Sequence, residues 1–210
     1  MSLFIYFGTQ IYEWFEQKKV QRRFYSKERF RKLDGELLKN YHRHNPYLLS
    51  KAFLLGKGEK IVDCYGETPL TTLEKIVREC EITSKDTVIE MGSGRGRASL
   101  FLAEYVGCKV IGYEWNPIFI KKMVSSPSLQ ILHQDMFEAD FSKASVIFLY
   151  GTMLNDSQIQ ILLSKFPFFS KIITVSYSLN EYSRLYRTIK SFSGRFPWGK
   201  TEVFWNERTR

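Results

Sequence analysis

Apolar residues in the first third of the chain recur at helical spacing. Residues 10–33 mix Gln, Glu, Lys, Arg and aromatics without Gly or Pro, and over 36–55 the positions Leu37, Leu38, Tyr41, Leu48, Leu49, Phe53 and Leu54 extend the helical pattern. Pro46 has to end or kink this second helix, because its ring removes a backbone donor and clashes with the preceding turn. Gly56-Lys57-Gly58-Glu59 reads as a turn. Thr68-Pro69 reads as an N-cap with proline at the first helical position, opening a helix through Leu70, Leu73, Ile76 and Val77. From Asp86 the pattern changes to short apolar runs alternating with helical stretches. Strands are expected over 87–90, 109–113, 129–133, 145–150 and 171–176, and helices near 96–106, 117–124 and 156–165. Two further stretches, 185–191 and 201–206, flank a turn containing Gly and Pro and predict a hairpin. The expected architecture is α/β: a seven-stranded, mostly parallel sheet closed by an antiparallel hairpin, residues 61–210, after a helical extension, residues 1–60.

Charge separates the same two parts. The chain carries 31 Lys and Arg against 22 Asp and Glu, a net +9, and residues 1–60 hold 13 of the basic and 6 of the acidic side chains. Seven of the nine excess charges therefore sit in the extension, which suits an acidic partner: nucleic acid, anionic lipid or an acidic protein surface. A solvated helix face explains the same charges without any partner. Cys64, Cys80 and Cys108 have no metal-ligand spacing and are odd in number, which favours a reducing compartment, the cytoplasm, and no bound metal. The opening Leu3-Phe4-Ile5-Tyr6-Phe7 is interrupted by Gly8, Thr9 and Gln10, short of the roughly 20 apolar residues of a membrane span. Phe7, Ile11, Trp14 and Phe15 share a helical face that fits either a peripheral membrane contact or packing on the domain.

The chemistry concentrates at Val88-Ile89-Glu90-Met91-Gly92-Ser93-Gly94-Arg95-Gly96, a buried strand, a tight turn and a helix start. Glycines let such a turn approach a ligand and adopt backbone angles closed to other residues. Glu90 ends the first strand, and Glu114 ends the second, 20 residues after Gly94, where an acid can take both hydroxyls of an adenosine ribose. A dinucleotide site uses the same topology, but the third glycine of its fingerprint would fall at Arg97, and Glu90 would repel a pyrophosphate. S-adenosylmethionine (SAM) has no pyrophosphate, and its sulfonium and ammonium are cationic. Gly92, Ser93, Gly94 and Gly96 are therefore its expected cradle, with Trp115 and Asn116 beside Glu114. After the third strand, Asp135 and Met136 are placed to meet adenine, or Asp135 simply caps the next turn. Leu149-Tyr150-Gly151-Thr152-Met153-Leu154 lines the expected mouth, without the Asn/Asp-Pro-Pro-aromatic motif of enzymes that methylate adenine or glutamine amide nitrogens.

These residues carry a resemblance to Rossmann-like class I methyltransferases. Tyr65-Gly66-Glu67-Thr68, one helix before the glycine turn, resembles the corresponding loop of disruptor-of-telomeric-silencing histone lysine methyltransferases. Val110-Ile111-Gly112-Tyr113-Glu114-Trp115-Asn116-Pro117 is similar to the second-strand signature of the mitochondrial lysine methyltransferases of the ATP synthase c subunit and the adenine nucleotide translocase. The resemblance implies that Tyr65, Glu67 and Thr68 border the methionine part of SAM. It departs from the histone enzymes after the fourth strand, where Tyr150-Gly151-Thr152 replaces their Asn-Phe element. The leading expectation is methyl transfer to an amine, a protein lysine, with Tyr65, Glu67 and Tyr150 at the reacting centre. The alternatives are an RNA or small-molecule acceptor, with the basic helices holding phosphate, and a SAM-binding scaffold without turnover.

Overall fold

The computed structural model describes residues 3–63, 65–151 and 154–209, with the side chains of 3–10 left out of the description. Cys64, Thr152, Met153 and the Leu3-to-Phe7 side chains named above lie outside the described residues. Three helices, α1 (Leu3–Phe24), α2 (Glu28–Asn40) and α3 (Pro46–Gly56), precede α4 (Leu70–Glu79). Five parallel strands follow: β1 (Thr87–Met91), β2 (Lys109–Glu114), β3 (Leu129–His133), β4 (Val146–Leu149) and β5 (Lys171–Val175). Between them lie α5 (Arg97–Leu100, continued as a π-helical segment Phe101–Val106), α6 (Pro117–Lys121) and α7 (Asp156–Lys165). The chain closes with β6 (Tyr186–Phe196) and β7 (Gly199–Arg208), and the sheet order is β3-β2-β1-β4-β5-β7-β6, with β7 antiparallel to β5. The expected mostly parallel, hairpin-closed sheet is thus the observed one. The hairpin is longer than its apolar stretches suggested, because a two-residue turn at Pro197-Trp198 lets the pairing run to Phe196 and Gly199.

Alternation along the buried strands sorts the core into two layers. Val88, Val146, Phe148, Ile173 and Val175 face one cluster with Leu70, Leu73, Ile76, Leu100 and Phe101, while Ile89, Met91, Ile147, Leu149 and Ile172 face the other with Ile159, Leu162 and Phe166. Val20, Phe24, Phe30, Leu37 and Tyr41 of the N-terminal helices belong to the first cluster. The charged extension is therefore packed on the sheet domain through these residues, whereas Ile11, Trp14 and Phe15, of the stripe expected to pack on the domain or meet a membrane, stand exposed.

Three local readings change. The expected continuous helix over 10–33 breaks at Tyr25-Ser26-Lys27. Phe24 and Phe30 both pack edge-on against Phe101, at 4.9 and 5.6 Å between centroids. On one straight helix, six residues would set them roughly 120° apart, on different faces. Pro46 begins α3 rather than kinking a long helix, with Asn45 accepting from the Tyr47 N–H at 2.8 Å. Thr68 does not cap α4: the helix starts at Leu70 with Pro69 at the N-cap, and Thr68 Oγ1 makes no cap bond. Instead Glu16 of α1 accepts from the Thr71 N–H and hydroxyl at 2.9 and 2.8 Å, capping α4 from another helix.

Candidate active site

Gly92, Gly94 and Gly96 in the β1–α5 turn all take positive φ, 72°, 56° and 76°. A Cβ on Gly94 would lie 2.9 Å from the Tyr65 ring, and one on Gly96 2.3 Å from Met123 Sδ. At Gly92 the neighbour would be Met136 Cε, at an ordinary 3.4 Å, so there the backbone angle rather than crowding selects glycine. Ser93 is buried under the turn, and its N–H and that of Gly92 both donate to Tyr113 O at 3.0 Å.

Glu114 ties this turn to the end of β2. Its Oε2 accepts from the Gly94 N–H at 2.7 Å and its Oε1 from the Asn116 N–H at 2.6 Å, so one buried carboxylate fixes both backbones and keeps further lone pairs for a ligand. Burial raises its carboxyl above the usual range, against those backbone bonds. Asn116 is itself buried, caps α6 by accepting from the Ile118 N–H at 2.9 Å, and leaves its Nδ2 without a partner.

Glu90 shares the parity of Val88 on β1 and so faces α5, where the Ser99 hydroxyl donates to it. Burial pushes its carboxyl up to about 8 against the Ser99 bond, and the charges of Glu67 and Glu114 push the same way. The folded chain therefore holds a proton that the unfolded chain has lost between about pH 4.5 and 8, and this group costs stability as pH rises across that window. A cationic ligand beside Glu90 is expected to ionise it. Calorimetry of SAM binding at pH 7, in two buffers of different ionisation enthalpy, should show release of about one proton that Glu90→Gln abolishes.

Above the turn the loop residues lock together. The Tyr65 hydroxyl donates to Glu67, Arg95 Nη2 donates to Glu67 Oε2 at 2.7 Å, and the Arg95 N–H reaches Tyr65 Oη at 3.4 Å. Tyr150 lies as close over Gly66, 2.9 Å from the position of a Cβ, and stacks on Phe196, which stacks on Trp198. Tyr65, Glu67, Thr68, Glu90, Gly92, Ser93, Gly94 and Tyr150 thus line one cleft. Its free volume is about 20 Å³, with the Tyr65 ring over Gly94 and the Tyr150 ring over Gly66.

Not every expected residue joins that cleft. Gly96, Glu114, Asn116, Asp135 and Met136 are not among its lining residues, and neither is Trp115, which stands edge-on to Phe53 at 5.2 Å with Lys57 Nζ 5.5 Å over its ring. Asp135 accepts from the Phe137 N–H at 2.9 Å, the turn-capping role left open for it, while Met136 reaches Gly92. The structure also adds residues. Arg97, the first residue of α5, donates to both oxygens of fully buried Asp34 on α2, at 2.7 and 2.8 Å, and to Gln17 of α1 at 2.6 Å. One signal for Asp34 was legible: it interrupts the apolar stripe Phe30, Leu37 at helical spacing, where a lone acid needs a buried partner.

The family described as ribosomal RNA adenine dimethylase matches residues 68–172. A ribosomal RNA small subunit methyltransferase A of Streptococcus pyogenes is 32% identical over 109 residues, covering 49% of this chain and 36% of that protein. The chain thus spans about a third of the length of the curated relatives it matches. Among solved structures, an RNA methyltransferase from Salinibacter ruber in complex with S-adenosyl-L-homocysteine superposes with a TM-score of 0.57 at 21% identity, over 69% of this chain and 95% of that one. The mitomycin 7-O-methyltransferase MmcR superposes at 0.54 and 14% identity, over 67% and 54%. These likenesses establish the class I methyltransferase fold. The family match is to an RNA-modifying group, and the expected kinship with lysine methyltransferases finds no support in it.

Proposed function

Because the chain belongs to the ribosomal RNA adenine dimethylase family, we propose that it is a SAM-dependent methyltransferase whose acceptor is RNA. The observation that carries the cofactor half is the turn itself: three glycines at positive φ, tied by Glu114 and backed by a buried acid, Glu90. The fit is chemical as well as spatial. A protonated Glu90 beside the turn can give up its proton to meet a cation, a charge pairing that a pyrophosphate cannot offer. Glu114 offers free lone pairs to ribose hydroxyls, Thr68 Oγ1 is buried without a partner, and Met136 borders Gly92 where a flat base would rest. Ser93, Gly94 and Gly96 would shape the cradle, Asn116 would hold Glu114 in place, and Asp135 would keep the loop beside adenine.

When bound, SAM supplies a methyl group on a sulfonium, an excellent leaving group. The protein's task is alignment and exclusion of water. Tyr65 and Tyr150, whose rings close the cleft, would form its dry walls, and Glu67, held by Arg95, would orient the incoming nucleophile. Residues 61–210 would carry out transfer, and the basic residues 1–60 would serve acceptor binding. Tyr150-Gly151 stands where adenine-methylating enzymes carry an Asn/Asp-Pro-Pro-aromatic motif, so the proposal commits to RNA rather than to one atom of a base.

Incubation of the protein with methyl-labelled SAM, total RNA and total protein should put label into a nuclease-sensitive, protease-resistant fraction. RNA binding should weaken steeply with salt, since phosphate contacts release counterions. Label confined to protease-sensitive material would replace RNA by a protein acceptor, and no label anywhere would leave a scaffold.

A further inference from the structure

A second cavity, about 210 Å³, lies beside the glycine cleft rather than within it. Helix α1 walls it with Tyr12, Glu13, Glu16 and Gln17, Leu38 and Tyr47 come from α2 and α3, and Pro197 comes from the tip of the β6–β7 hairpin. Glu67, Thr68 and Arg97 line both spaces, so the cavity abuts the place where the reacting groups would meet. A ligand spanning the boundary would meet Thr68 Oγ1, which is buried and has no hydrogen-bond partner. The volume is below the ~300–1,000 Å³ of pockets that enclose a drug-sized molecule, and suits a single ring system.

Most of the polar lining is already committed. Glu16 caps α4, and Arg97 is held by Asp34 and Gln17. Glu13 is bound more loosely, its Oε1 receiving the Tyr47 hydroxyl at 3.2 Å, and its other oxygen can accept from an amino group. Leu38, Pro69, Leu70 and Pro197 offer apolar surface to the faces of a ring. The same helices carry Lys19, Arg22 and Lys32 exposed, positive charges that complement a polyanion.

We propose that this cavity is the acceptor pocket: a nucleobase drawn out of its strand enters it, and Glu13, positioned by Tyr47, accepts a hydrogen bond from the base's amino group. The pocket rests on the RNA reading above. It assigns recognition to α1–α3, outside the residues matched by the family, and makes the phosphates a matter for the exposed basic residues.

The test uses the full chain and its Glu13→Gln and Tyr47→Phe variants, with a single-stranded oligoadenylate as binding probe, S-adenosyl-L-homocysteine present, and total RNA as methyl acceptor. Each variant should raise the oligoadenylate Kd and the KM for RNA by about tenfold, the effect of one hydrogen bond to a charged group. SAM affinity by calorimetry should stay within about twofold of the parent, and the melting temperature should be unchanged. Equal RNA affinity in folded variants would overturn the pocket while leaving RNA methylation standing. A parallel loss of SAM affinity would instead assign the cavity to the cofactor's amino-acid tail. If the parent chain neither binds oligoadenylate nor labels RNA, the functional reading falls together with the pocket.

Discussion

Gly94→Val should abolish measurable SAM binding in a chain that still folds. The residue sits at φ 56°, and its added Cβ would stand 2.9 Å from Tyr65 Cε2 and 3.1 Å from its hydroxyl, so both backbone angle and space oppose a branched side chain. Backbone strain of this kind costs about 1–3 kcal/mol of stability in the free and the bound chain alike, while the added side chain fills the space over the turn that the nucleoside would take, so Kd should weaken by at least about 100-fold. Glu114→Gln is the companion. It keeps the shape but loses the charge on the group that accepts from Gly94 and Asn116, and an intermediate weakening of about 10- to 100-fold is expected. Calorimetry on both variants, with circular dichroism to verify folding, checks the pair. Unchanged affinity in folded Gly94→Val would remove the glycine turn from the site.

Arg97→Met should produce the largest loss of stability. It leaves Asp34 fully buried with the Tyr25 hydroxyl, which donates at 2.8 Å, and the charge of Arg95 to stabilise its carboxylate. Stranding one member of a buried pair costs about 3–5 kcal/mol, which for a chain of this size lowers Tm by roughly 6–20 °C. The pH dependence provides the signature. In the parent, burial alone would raise the Asp34 carboxyl, but Arg97 holds it below its usual range. Its contribution is present above the unfolded value and is lost as pH falls through the folded one. In the variant only the Tyr25 bond and the Arg95 charge stand against burial, so acidification should restore stability. Adding Asp34→Leu should recover much of the loss, since an apolar pair can replace a buried ionic one. A thermal melt series from pH 4 to 8 decides it: a Tm for Arg97→Met within a few degrees of the parent would show that the pair is not the buried clamp described.

Taken together, the two predictions separate what was readable along the chain from what was not. The glycine turn and its acid were legible because they are local. Gly92, Gly94 and Gly96 need angles that glycine alone takes easily, and Glu114 follows at the spacing of one helix and one strand. The strands were legible because buried parallel strands need continuous apolar runs. The break between α1 and α2 was hidden, since Tyr25-Ser26-Lys27 has no helix-breaking residue and only the shared demand of Phe24 and Phe30 for Phe101 bends the chain there. Thr68 looked like a cap on spacing alone; the cap came from Glu16, more than fifty residues earlier, which no local pattern can announce.

Local backbone chemistry, then, determined from the sequence alone that a glycine turn would follow the first strand with an acid at the end of the second, and what kind of sheet would hold them. Angle preference and apolar period act within a few residues of one another. Tertiary structure decided the rest: that α1 and α2 hold Arg97 behind the glycine turn, that Trp115 packs on Phe53, and that a second cavity opens beside Glu67 and Thr68. Each depends on groups distant along the chain meeting where water is excluded, and burial gives such meetings their energy only after the fold has brought the groups together.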